Sequence, residues 1–148
     1  MATREQIVAA LFAILSAAPG DGVFKTMSRR NRDPEGLDPS QTPAFFLIEH
    51  TDKWDRLGGY NLGGKREMKV FAIVYYDAGA DQNIVPSSVL NPLLDAIEGA
   101  MVPDNQQTNT FTIGGLVQAC LIDGESQRAS GDVTGKGLAV IPIRILFP

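Results

Sequence analysis

Gly59 to Arg66 (GYNLGGKR) comes nearest in this sequence to a chemical motif: a glycine, a gap, a second glycine at Gly64, then Lys65. A phosphate-binding loop of that spacing cradles phosphates with backbone amides, needs Ser or Thr after the lysine to hold magnesium, and sits between a strand and a helix. Arg66 stands where the hydroxyl is required, and the residues after it read as a strand. A hairpin tip is the better reading, with nucleotide binding through residues 59–66 as a remote alternative. His50 is the only histidine, so no His–His metal pair or histidine relay can form within one chain. Cys120, the only cysteine, lies in an apolar run and reads as a buried, inert thiol suited to a reducing compartment. Asp77, Asp81, Asp95, Glu98, Asp104, Asp123 and Glu125 are scattered over turns and helix surface, the pattern of solvated carboxylates rather than of an acid–base pair. No catalytic residue, metal ligand or cofactor is expected, and the chain is not read as an enzyme.

Two groups suit contact rather than chemistry. Lys25, Arg29, Arg30 and Arg32 form a basic cluster in a chain of net charge -4. Coating nucleic acid depends on many cations neutralising phosphates, so the acidic total favours an ion-paired or solvated surface over DNA contact. Trp54 and Tyr60 sit in TDKWDRLGGYNLGG, Thr51 to Gly64, where they either anchor an interface or pack back onto the sheet.

The elements that must position these residues are set by periodicity. At 148 residues, 44% hydrophobic and 20% charged, the chain has the size and composition of a single globular domain, 1–148. It has no apolar run of the roughly 18 to 20 residues that a membrane span needs. Thr3 and Gln6 have the form of a capping box, and Ile7, Val8, Leu11, Ile14, Leu15 and Ala18 keep helical spacing until Pro19, so a helix is expected over about 3–18 rather than a secretion signal. Val23–Arg29 is a strand candidate, Asn31–Pro43 a proline-rich loop, and Ala44–His50 a strand covered on both faces and central in its sheet. Thr51–Gly64 reads as a long connection to the strand Lys65–Asp77, giving a projecting β-hairpin around 44–77.

Val89, Leu90, Leu93, Leu94, Ile97, Ala100 and Met101 line one side of a helix over about 87–101, capped by Ser87 or Ser88, with Pro92 in its first turn. Thr110–Ile113 and Leu116–Ile122 are expected as strands, Gly124–Gly137 as a mobile connection, and Gly137–Phe147 as the last strand. Pro142 lacks an amide proton, which places that strand at a sheet edge or a bulge; a long apolar edge hints at assembly. The fold class expected is α+β (α/β mixed), a mostly antiparallel mixed sheet flanked by two helices.

TREQIVAALFAILSAAPG, VFKTMSRR, LNPLLDAIEGAMVPD, IGGLVQACLIDGE and GLAVIPIRILFP, in that order, resemble the tail-terminator proteins of long-tailed bacteriophages, also called tail-completion or minor tail proteins and related to the lambda-type terminator. The resemblance spans nearly the whole chain and rests on fold-forming segments, none of them chemically diagnostic. It implies a structural virion protein of the tail neck, assembled in the host cytoplasm. Six copies would form a homohexameric ring that caps the head-proximal end of the tail tube, stops polymerisation and offers the head-joining surface. Implied partners are other copies of the chain, the tail tube protein and the head–tail connector; DNA would pass through the lumen without sequence-specific binding, and no membrane is involved. On this likeness Trp54, Arg56, Tyr60, Asn61, Lys65, Arg66, Asn105, Gln106 and Gln107 are expected along the ring axis. Lys25, Arg29, Arg30, Arg32, Pro142 and Arg144 are expected between subunits. Another head–tail connector or neck protein is the near alternative.

Overall fold

A computed structural model describes residues 2–55, 65–129 and 135–147. Two helices, α1 (Arg4–Ser16) and α2 (Pro86–Ala100), accompany strands β1 (Thr26–Ser28), β2 (Ala44–Asp55), β3 (Lys65–Asp77), β4 (Ala119–Ile122), β5 (Gln127–Ala129) and β6 (Lys136–Phe147). The strands form one mixed sheet in the order β1-β2-β3-β6-β4, with β5 also on β6. Only β1 and β2 run parallel; every other pair is antiparallel. The fold is α+β, and both helices serve one core.

That core arises from side-chain alternation. Ala139, Ile141, Ile143, Ile145 and Phe147 on β6, and Met68, Val70, Ala72, Val74 and Tyr76 on β3, face Ile7, Val8, Leu11 and Leu15 of α1 and Leu90, Leu93, Leu94 and Ile97 of α2. Burying each large aliphatic side chain stabilises the fold by about 1.5–3 kcal/mol before chain entropy is set against it. On the opposite face, Leu37 from the proline-rich loop closes over Ala44, Phe46 and Tyr75 in a small second cluster. Hence Ala44 to Leu47 are buried on both sides, as a continuous apolar run requires.

α1 starts as the sequence predicts: Thr3 accepts from the Gln6 amide at 3.2 Å and the Gln6 side chain accepts from the Thr3 amide at 2.9 Å. α2 starts one residue early, because Pro86 takes the first helical position, where its fixed φ and missing amide fit. Neither serine caps it. Ser88 instead donates its hydroxyl back to the Val85 carbonyl at 2.6 Å, and Pro92 falls inside the helix, beyond its first turn.

Several strand boundaries differ from expectation for local reasons. β1 is only Thr26–Ser28, since Phe24 belongs to the core rather than to a ladder. β2 continues through Thr51–Asp55 instead of dissolving into a loop. A register shift between Glu49 and Thr51 makes His50 an extra residue, so the core-facing positions change parity and the period disappears from the sequence. β2 also has β1 beside it only over Ala44–Phe46, so it is next to the sheet edge rather than central. Thr110–Ile113 forms no strand beyond a single bridge from Thr110 to Asn105, and β4 begins at Ala119, not Leu116. Leu116 and Val117 are apolar because they pack on the core from a turn. The polar segment after Gly124 contains β5, whose three residues are all exposed.

The largest correction concerns the last strand. β6 lies inside the sheet, with β3 on one side and β4 and β5 end to end on the other. β4 pairs with 143–146 and β5 with 138–140, leaving Ile141 and Pro142 at the seam. The Pro142 carbonyl accepts from the Asp123 amide on that side at 3.1 Å, so the missing N–H also faces the seam and costs no ladder bond.

β6 is fixed at its start by a close approach. Gly137 pairs with Tyr76, whose ring crosses it and whose hydroxyl donates to the Ala129 carbonyl at 3.4 Å. A Cβ on residue 137 would lie 2.5 Å from Tyr76 Oη and 2.6 Å from the Ala129 carbonyl oxygen. Gly137→Ala is therefore expected to destabilise the protein by about 1–3 kcal/mol, the usual cost of overpacking. Urea unfolding checks this, and an unchanged midpoint contradicts the packing argument.

Candidate functional site

The described residues among those expected along a ring axis collect at one end of the sheet. The register places Trp54 opposite Arg66, Arg66 opposite Phe147, and Leu146 opposite Ala119. The Arg66 guanidinium lies between two rings, 5.0 Å from the Trp54 centroid and 4.5 Å from that of Phe147. Arg4, bound to Asp52 at 2.6 Å, approaches the same indole at 5.9 Å. Trp54 thus neither sits on a loop nor packs into the core; it stands on β2, 60% exposed, flanked by two guanidiniums. Lys65 begins β3, so a strand succeeds the glycine-rich segment where a phosphate-binding loop needs a helix. Arg56, Tyr60 and Asn61 lie outside the described residues.

The second axial group hangs from the same end. Thr110 Oγ1 donates to the Gln118 carbonyl at 3.4 Å, next to the β4–β6 junction, where the Gln118 amide donates to the Leu146 carbonyl at 2.9 Å. Asn105 Oδ1 accepts from the amides of Gln107 (3.0 Å) and Thr108 (3.3 Å), an Asx-type turn that leaves Gln106 and Gln107 exposed.

What holds that turn is Asp104, one of the carboxylates read as merely solvated. Oδ1 accepts from the Thr112 amide at 2.6 Å and the Thr112 hydroxyl at 2.7 Å, and Oδ2 from the Gly114 amide at 2.8 Å. These bonds straddle Ile113, a β-branched residue at φ 53°, with Gly114 at 66° and Gly115 at 88° after it. A left-handed isoleucine is strained, and here it is held by its own burial and by the carboxylate around it. No local sequence pattern links Asp104 to Thr112, so this role was invisible in the sequence.

The residues expected between subunits are mostly engaged within the chain. Arg29 is chelated by Glu5 and lies 3.6 Å from Glu49, tying the end of β1 to α1 and β2. The hydrogen bond from Arg29 lowers the Glu5 pKa, and the Glu5 partner raises that of Arg29. Lys25 donates to the Gly22 carbonyl at 2.8 Å. Arg30 and Arg32 are exposed, with no ion pair among the described residues. Pro142 and Arg144 lie on an interior strand rather than an edge, and Arg144 Nε is 3.2 Å from Asp123 Oδ2.

For chemistry, the described residues bring together no group of His, Cys, Asp and Glu able to hold a metal ion. Cys120 is buried, and burial, with the Asp104 charge nearby, pushes its thiol up to about 12, so it carries no nucleophilic thiolate near neutral pH. His50 is exposed and stacks on Phe71 at 4.8 Å. A cavity of about 540 Å³ lies between the Leu37 loop, Tyr75 and the start of β6, and one of about 350 Å³ beneath the end of α2 beside Phe111 and Cys120. No described helix is long and apolar enough to cross a membrane. No protein-family model matches the chain, and no curated protein matches it either.

The Asp104 clamp has a pH signature. Hydrogen bonding by Thr112 comes first among the causes that lower its pKa below the ordinary value of 3.8, with the Gly114 and Thr112 amides adding to it. A depressed carboxylate contributes stability that is complete above its unfolded pKa and is lost as pH falls through the folded value. Asp104→Asn should therefore be less stable than wild type at pH 7, and the two should converge below about pH 4. Chemical denaturation as a function of pH measures this; parallel curves down to about pH 2 would remove the clamp.

Proposed function

We propose that this chain is a structural protein of a phage tail neck: a ring-forming tail terminator that caps the tail tube and presents the surface to which the head joins. The ordered resemblance of its segments to that family supplies the class. The observation that carries the reading is the gathering of recognition groups at one end of the sheet: exposed Trp54 with half-buried Arg66, and the Asp104-braced turn bearing exposed Gln106 and Gln107. Aromatic and arginine side chains held on strands make effective contact anchors because little freedom remains to be lost on binding. In this reading the end of the sheet meets the tube or the connector, and the work is steric and adhesive.

Deleting the gene should leave heads normal while tails reach irregular or excessive length. Tails of normal length sink the proposal, whereas normal tails that fail to join heads transfer the chain to the neck-protein class. Trp54→Ala is expected to keep the wild-type melting behaviour, since the side chain is exposed, while weakening binding to tube ends by about 30-fold, the loss of a typical hot spot. Pelleting of the variant with assembled tubes measures that loss.

A further inference from the structure

Two surfaces of the subunit are largely apolar and only partly covered by its own described chain. The first is the outer side of α1. From Ala9 to Ala18, AALFAILSAA contains no charged side chain; Ala9, Ala13 and Ala17 are exposed, and Ala10, Phe12 and Ile14 half-buried. A helix at a protein surface ordinarily turns polar residues outward, and this one does not. The second is the sheet face opposite the helices. A sheet packed on one side normally alternates to polar residues on the other, yet Phe71, Val140, Pro142 and Leu146 stand there half-buried, outside the cluster that Leu37 closes.

The charges around the two surfaces are complementary. On the open sheet face Lys69 and Arg144 are register partners, and Asp123 is the one carboxylate in ion-pair reach of either among the described residues. The charged side chains of α2 itself have the opposite sign, although Arg128 of β5 donates to Asn91 on that helix at 3.0 Å. α2 carries Asp95 and Glu98, both exposed, and no lysine or arginine, and neither carboxylate has an ion-pair partner among the described residues.

We infer that a second copy of this chain supplies the missing cover: the helix layer of one subunit docks on the open sheet face of the next, head to tail. Small side chains on α1 let its backbone approach the Phe71–Pro142–Val140 surface, while Asp95 and Glu98 meet the Lys69–Arg144 pair in the adjacent row, which separates that surface from Leu146 and Glu67. An isologous contact would occupy one of the two faces and leave the other open. A heterologous contact covers both at every joint and generates a ring where its rotation closes. This contact deepens the ring proposed above and rests on that reading.

Buried Cys120 leaves engineered thiols as clean reporters. Ala13→Cys on α1 and Val140→Cys on the sheet face, combined in one chain and treated with a short bis-maleimide, should give a ladder of covalent oligomers. Each single variant should remain monomeric on a denaturing gel, and a mixture of the two should give dimers. Cross-linking of either single variant, or no ladder from the double variant, overturns the head-to-tail contact. Ala13→Arg, at an exposed helix position, should abolish assembly in sedimentation while leaving the subunit folded by circular dichroism; retained assembly also overturns it. The two readings separate cleanly. A wild-type six-membered ring without the ladder removes this contact and keeps the terminator, whereas a ladder with tails of normal length on gene deletion keeps the contact and removes the terminator.

Discussion

The antiparallel ladder between β3 and β6, unbroken from Arg66–Phe147 to Asp77–Lys136, is the constraint on which the rest of the molecule depends. β2 attaches to its outer side, β4 and β5 share its other side, and both helices pack on the core-facing residues of its two strands. Its partners are far apart in sequence, so a long loop must be closed before the ladder yields any stabilisation. α2 lies within that loop, and its packing across both strands offsets part of the closure cost. The seam at Pro142 is a product of the same arrangement. Two short strands can share one side of β6 only if their junction falls where no donor is needed, and the proline is there.

Elements with a clean period and a local start signal were legible in the sequence. The Thr3–Gln6 capping box, the α2 stripe and the long apolar runs of β3 and β6 each give a signal strong enough to outweigh local exceptions. Legibility failed where one extra residue or one tertiary contact reset the pattern. His50 in the β2 bulge moved Asp52 and Trp54 onto the helix side and made a strand look like a loop. The Pro142 rule was sound as a local statement, since the proline does face a gap in pairing, but a single sequence does not show that the gap is a seam between two strands instead of an edge. The site was less legible still. Asp104 and Thr112, or Arg29 and Glu5, are unremarkable residues in sequence, and only the folded chain makes a clamp of one pair and a tie of the other.

Those ties have a consequence for how the subunit can associate. Beyond Phe46 the outer edge of β2 has no strand beside it, and an open edge invites strand addition. Here it is blunted by the bulge at Glu49–Thr51 and by the exposed, mostly charged run Glu49, His50, Thr51, Asp52 and Lys53. Arg4 of α1 holds Asp52 of β2, and Arg29 holds Glu5 of α1 beside Glu49, which keeps the end of β1 and the helix against this edge.

Strand addition to β2 is thus disfavoured, which favours faces over this edge for assembly. The distinction matters for any closed ring. Pairing along an edge fixes a translation through backbone hydrogen bonds that any similar chain can match, and it propagates as readily into open fibres as into rings. Packing of a helix layer on a sheet face is set by particular side chains, so the rotation at each joint is specified by sequence. In the proposed role a subunit that ends one polymer must not start another, and the blunted edge of β2 suits that requirement.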